Sequence, residues 1–113
     1  MPTVFVIGED WTLRSLVRAE LREHGVEALG METLEQAARA IATGTVPSAV
    51  VLDATPLGGA AAAMEFLPRS VPVLLVTSPG ALAPAWAAAV LSKPVRVGEI
   101  VASVENLLKG LAA

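Results

Sequence analysis

An apolar run that ends in a carboxylate, Ala49-Val50-Val51-Leu52-Asp53, is the feature that most narrows what this chain can become. A strand that is apolar at every position has no solvent face. It must lie inside a sheet covered on both sides, as in parallel sheets with helices above and below. Asp53 is followed by Ala54-Thr55-Pro56 and then Gly58-Gly59, so the strand delivers its last side chain to a loop at the sheet edge. Three further runs end in the same way. Thr3 to Ile7 closes at Gly8 and is followed by Glu9 and Asp10, Val71 to Val76 leads into Thr77-Ser78-Pro79-Gly80, and Ala89 to Leu91 leads into Lys93-Pro94. Val26 to Leu29 is a weaker fifth strand, and Ser48 to Leu52 is the span expected for the strand before Asp53.

Between these runs the apolar period changes from continuous to helical. From Trp11 onward Leu13, Leu16, Val17 and Leu21 recur on one side, with Arg14, Arg18, Arg22 and Glu23 on the other, and His24-Gly25 forms the stop. Thr33-Leu34-Glu35-Gln36 has the spacing at which a Thr hydroxyl and a Gln side chain cap each other's backbone donors. A second helix therefore starts near Leu34, buries Leu34, Ala37, Ala38 and Ile41, and stops by Gly44. Gly58 to Leu67 is an alanine-rich third helix with little to dock beyond Met64, Phe66 and Leu67, and Pro68 ends it. The dozen residues from Thr77 to Ala88 are about the minimum for a crossover between parallel strands, so the helix expected there is short and starts at Pro84. Val97 to Leu108 closes the chain with Ile100, Val101, Val104, Leu107 and Leu108 inward. Five alternations of strand and helix predict one α/β domain, a three-layer sandwich around a five-stranded parallel sheet with right-handed crossovers.

Composition excludes several classes. With 113 residues the chain fits one domain with a core of useful size, and with no cysteine it has neither disulfides nor a thiolate metal site. A reducing interior, the cytoplasm, suits it. The first ten residues lack a basic segment and read as a strand and not as a signal peptide. Mean hydropathy is +0.63, yet the richest late stretch, Ala81 to Leu91, is broken by Pro84 and is too short to span a membrane. A net charge of −3 and a pI near 5.0 supply no basic field for a phosphate backbone, so no direct nucleic-acid binding is expected.

In an open α/β sheet, ligands bind beyond the carboxyl ends of the strands, where the strand order reverses. Glu9, Asp10, Asp53, Thr77 and Lys93 are all expected at that edge. Three carboxylates gathered there repel one another unless a cation joins them, and oxygen ligands without His or Cys suit Mg²⁺. With its charge offset, Asp53 is a nucleophile for a phosphoryl group, Thr77 a donor to one phosphoryl oxygen, and Lys93 a counter-charge for another.

This arrangement resembles the receiver domain of two-component response regulators, abbreviated in its third and fourth helices. The match is carried by Glu9-Asp10 after the first strand, Asp53 after Val50-Val51-Leu52, Thr77 after Val73-Leu74-Leu75-Val76, and Lys93-Pro94 after the fifth, and it runs from about Thr3 to Leu108. The resemblance implies a flavodoxin-like strand order 2-1-3-4-5 and Mg²⁺ held by Glu9, Asp10, Asp53 and the backbone carbonyl of Thr55. It implies Asp53 as phosphoacceptor for a histidine kinase or phosphotransfer protein, with Thr77 and Lys93 as the switch pair. Such a domain works on its own aspartate and is not otherwise an enzyme. The Lys93-Pro94 bond is expected to be cis, since a tight turn must aim Lys93 back across the edge and X-Pro bonds favour trans by only about 0.5–1 kcal/mol. The loop from Thr55 to Gly59 is short for the family, and Val90 stands where an aromatic that swings inward is usual.

The alternative is a pseudo-receiver, an interaction or homodimerisation module that uses the fold without phosphate. An aspartate-nucleophile phosphatase lacks its second Asp two positions after Asp53, and a dinucleotide site lacks all but Gly8 of its glycines. Plainer roles stand beside each functional one: Asp53 as the cap of the next helix, Glu9 and Asp10 as acids at a helix N-terminus, Thr77 as a turn residue, and Lys93 as a solvated cation. His24 reads as a C-terminal helix cation. Trp11 is expected over the site or against a partner, and Trp86 as packing that stays partly exposed.

Overall fold

The computed structural model describes residues 1–54, 63–81 and 83–112. In chain order the elements are β1 (Thr3–Ile7), α1 (Trp11–Glu23), β2 (Glu27–Met31), α2 (Leu34–Ala42), β3 (Ala49–Asp53), α3 (Ala63–Phe66), β4 (Val73–Thr77), β5 (Ala89–Ser92) and α4 (Val97–Ala112). The five strands form one sheet in the order β2-β1-β3-β4-β5, and every neighbouring pair is parallel. This is the expected 2-1-3-4-5 order, with its reversal between β1 and β3.

Side chains alternate across each strand, so the sheet has two apolar faces. Val4, Val6, Val51, Leu74 and Val76 face α1 and α4 in one cluster. Phe5, Ile7, Val50, Leu52 and Leu75 belong to the other, with Leu34 and Ala37 of α2 and Ala63 of α3. Every residue of β3 and β4 is buried, which is why those two runs are apolar without interruption.

The helix starts follow their caps. The Asp10 carboxylate accepts from the Leu13 backbone N–H at 3.1 Å and opens α1. At α2 the Thr33 hydroxyl accepts from Gln36 N–H at 3.2 Å while the Gln36 side chain accepts from Thr33 N–H at 3.3 Å, completing the predicted reciprocal cap.

One side of α1 carries Arg14, Arg18 and Arg22 at four-residue spacing. Arg14 Nη1 donates to the Gly8 carbonyl at 2.6 Å, and Arg18 Nε and Arg22 Nη2 both donate to the Ala28 carbonyl at 3.3 Å. Gly30 makes room for them. A Cβ there would lie 2.7 Å from Arg18 Cδ and 3.2 Å from Arg14 Cδ, so a glycine inside a strand serves as the seat for two arginine stems.

Four expectations need correction. The second strand is Glu27–Met31, displaced from Val26 to Leu29, because Gly30 pairs with Val6 despite its poor strand propensity. Leu16 is 52% exposed, so the buried stripe of α1 is narrower than its apolar spacing. The segment starting at Pro84 makes a single turn, Ala87 N–H donating to the Pro84 carbonyl at 3.2 Å, and no helix forms among the described residues between β4 and β5. On the second helix Ala38 is only half-buried, and it is Ala40 and Ile41 that pack with Leu34 and Ala37. The first part of the expected helix from Gly58 and the Met64 side chain lie outside the described residues; the described part is α3.

Candidate functional site

Asp53 is the last residue of β3, in register with Val76 of β4, and is 4% exposed. A carboxylate so far from water needs a compensating partner, since an unpaired buried charge is strongly unfavourable. Lys93 Nζ supplies one at 3.2 Å from Asp53 Oδ2. The fifth strand brings it there: Lys93 N–H donates to the Thr77 carbonyl at 2.8 Å, directly after β5, and the Lys93-Pro94 bond is cis as expected.

Gly8 determines how closely the end of β1 approaches. A Cβ at Gly8 would stand 2.9 Å from the Asp53 Cβ, so any side chain there would push the two strand ends apart. Beyond Gly8 the acidic pair divides. Asp10 lines a cavity of about 10 Å³ together with Leu13, Arg14, Asp53, Val76 and Ile100, while Glu9 is exposed and does not line it. That volume is close to the space of one water molecule.

Among the described residues no three His, Cys, Asp or Glu side chains are placed to hold one metal ion. The reason is local: the Asp10 carboxylate is turned to the first turn of α1, where it satisfies a backbone donor. Thr55, the source of the expected carbonyl ligand, lies outside the described residues. Asp10 and Asp53 border the same small cavity, whose lining apart from Arg14 is otherwise apolar, from Val6, Leu13, Val17, Val51, Val76 and Ile100. Oxygen donors without His or Cys are the kind that Mg²⁺ takes, and that ion keeps several waters and uses only one or two carboxylates.

Thr77 is 5% exposed, and its hydroxyl oxygen has no hydrogen-bond partner among the described residues. An unmet buried hydroxyl costs about 1–3 kcal/mol relative to a satisfied one. Alternation along β4 places it on the face of Val73 and Leu75, across the sheet from Asp53, whose β4 partner Val76 lies in the other cluster. Val90 packs in the cluster of Val73 and Leu75, beside Trp86.

The remaining candidates lie apart from this edge or on its rim. His24 caps α1, and its Nδ1 is 3.2 Å from the Glu105 carboxylate of α4, an exposed contact of little energetic weight. Trp11, one residue beyond Asp10, is 68% exposed. Trp86 is half-buried and borders a cavity of about 210 Å³ with Leu67, Arg69 and Val73. Arg14 is the residue that sequence reasoning missed, because a cation on the polar side of a helix looks solvated. The available signals were its position one turn after Asp10 and the two glycines, Gly8 and Gly30, that it touches.

No family model matches the chain, and no curated protein matches it by sequence. Solved structures do. The receiver domain of a Francisella response regulator superposes with a TM-score of 0.82 at 17% identity, covering 98% of this chain and 99% of that one. A response regulator receiver protein of Burkholderia phymatum gives a TM-score of 0.78 at 20% identity, with 96% of each chain covered. A response regulator receiver domain protein of Methanospirillum hungatei gives 0.79 at 15% identity, covering 97% of this chain and 96% of that one. The chain has the receiver fold of response regulators, over nearly its whole length.

Proposed function

We propose that this domain is a signal-transduction receiver that accepts a phosphoryl group on Asp53 from a histidine kinase or phosphotransfer protein, in a Mg²⁺-dependent phosphorelay. The observation that carries the reading is the Lys93 ammonium 3.2 Å from a nearly buried Asp53 at the carboxyl edge of the sheet. A carboxylate oxygen of Asp53 attacks the phosphorus of a phosphohistidine. A P–O bond forms as the P–N bond breaks, and the imidazole leaves with the electron pair and takes up a proton. Lys93 then pairs with a phosphoryl oxygen in place of the carboxylate, and the Thr77 hydroxyl gains the acceptor it lacks. Glu9, Asp10, Asp53 and the Thr55 carbonyl are the groups proposed to hold Mg²⁺, which when bound offsets the phosphoryl charge. The domain acts at most on its own side chain, by self-phosphorylation and dephosphorylation, and its setting is the cytoplasm. No helix among the described residues is long and apolar enough to cross a membrane.

Incubation with acetyl phosphate and Mg²⁺ should give a single phosphoryl adduct by intact mass, labile to hydroxylamine and abolished by Asp53→Asn. The second reading, a pseudo-receiver that works through protein contacts or as a homodimer, is favoured by the turn at Pro84 where a helix was expected. A folded protein that takes no adduct under conditions where Mg²⁺ binds would select it.

A further inference from the structure

We propose that β5 is the surface by which two copies of this chain associate: the strand pairs antiparallel with its own symmetry mate about a two-fold axis at Leu91, joining two five-stranded sheets into one. The proposal goes beyond the receiver reading and does not depend on phosphoryl transfer at Asp53.

The two edges of the sheet differ. β2 and β5 each pair with one neighbour. At β2 the Ala28 carbonyl already accepts from Arg18 and Arg22, whereas among the described residues no side chain takes up the backbone of β5. Lys93 N–H donates to the Thr77 carbonyl at 2.8 Å, so alternation in the parallel ladder turns the peptide groups of Leu91 toward β4 and those of Val90 and Ser92 away from it. Ala89, Val90 and Leu91 are half-buried and Ser92 is exposed. This is an open edge.

Its chemistry points to a second copy as the occupant. The chain carries no charge from Ser70 to Ser92, so a charged partner finds no counter-charge on the strand, while two copies of it meet without like-charge repulsion. The register is self-complementary as well. With the axis at Leu91, Val90 stands opposite Ser92 of the partner subunit and Ser92 opposite Val90 of the partner subunit, and each outward-facing pair exchanges both of its N–H···O bonds. Other centres fail. An axis at Val90 opposes Ser92 to Ala88 of the partner subunit, whose N–H is spent on its own Val73 carbonyl, and an axis at Ser92 opposes Val90 to Pro94 of the partner subunit, which has no N–H. The pairing is isologous and closes at two copies. A strand of four residues makes a small contact, so the Kd is expected on the order of 100 µM.

The test is sedimentation equilibrium from micromolar to millimolar protein, with each variant checked for folding by circular dichroism. The wild-type mass should rise from one copy toward two and stop there. Ser92→Pro removes an outward N–H and Ser92→Lys puts charge on the edge; both should weaken the Kd about tenfold or more, and Ser92→Thr should stay within about twofold of wild type. Either of the first two, if folded, decides the matter. The chain has no cysteine, so Leu91→Cys carries a single thiol at the axis, where the Cα atoms of a non-hydrogen-bonded pair stand about 4.5 Å apart, within disulfide range. Mild oxidation should cross-link Leu91→Cys and leave Ser92→Cys monomeric under denaturing conditions, because the two copies of Ser92 lie on opposite sides of the axis. A wild type that stays monomeric at millimolar concentration overturns the proposal. So do a dimer whose Kd is unchanged in Ser92→Pro and Ser92→Lys, a mass that keeps rising past two copies, and a folded Leu91→Cys that cross-links no better than Ser92→Cys.

Discussion

Among the described residues the two faces of the sheet are unequally covered. On one, α1 with 13 residues and α4 with 16 lie over Val4, Val6, Val51 and Val76. On the other, the described cover is α2 with nine residues, α3 with four, and the half-buried Trp86. The proposed chemistry is divided between them. Asp53, Asp10 and Arg14 border one small cavity on the well-covered face, whereas Thr77 and Val90 belong to the other.

The largest effect expected from this difference is in core truncation. Leu21→Ala, at a fully buried position of α1, should cost about 2–5 kcal/mol by urea unfolding. Trp86→Ala should cost only about 1–2 kcal/mol despite its larger side chain, because half of it already meets water. Equal costs would show that the thin face is as tightly packed as the other. Next in size is Gly8→Ala, which sets a methyl against Asp53 and should lose about 1–3 kcal/mol. It should also shift the NMR resonances of Asp53 and Lys93 while leaving those of α2 in place, and changes spread over both faces would remove the local account. Smaller again, Thr33→Ala removes half of the reciprocal cap of α2 and should cost about 1 kcal/mol. A helix of nine residues is not stable on its own, so hydrogen exchange should rise along α2 more than along α1.

The smallest effect is reserved for the phosphoryl mimic beryllofluoride. A ligand shifts an equilibrium only by its differential contacts with the two states. Thr77 has a hydroxyl to move, but Val90 offers little volume to follow it. Chemical-shift changes should stay near Asp53, Thr77 and Lys93, and large changes along α4 or at Trp86 would show that the two faces are coupled by another route.

Much of this was legible in the residues. β3 and β4 announce themselves because burial on both faces leaves no room for polar side chains, and Asp53 and Lys93 stand out as charges at the ends of such runs. The cap of α2 was legible because its chemistry is contained in four consecutive residues. The failures share a cause, which is dependence on partners distant in sequence. Leu16 fits the apolar spacing of α1 yet faces water, since periodicity does not say how wide a stripe the sheet will cover. Gly30 argued against a strand, and only the arginine stems explain why it sits in one. Asp10 was read for its charge toward Asp53, while the nearest unmet donor was the Leu13 N–H of its own helix.

The arginine row has a consequence for the outer border of the sheet. β2 pairs with β1 alone. Glu27 N–H and the Met31 carbonyl are spent on β1, through Pro2 and Gly8, so alternation in a parallel ladder turns the peptide groups of Ala28 and Gly30 away from it. An outward row of that kind is a template on which a foreign strand can form, and proteins blunt such borders with charge. Here Arg18 and Arg22 both donate to the Ala28 carbonyl, an acceptor that an incoming strand would otherwise use. The side chains that seat α1 on β2 thus also take up part of the border along which a foreign strand would pair.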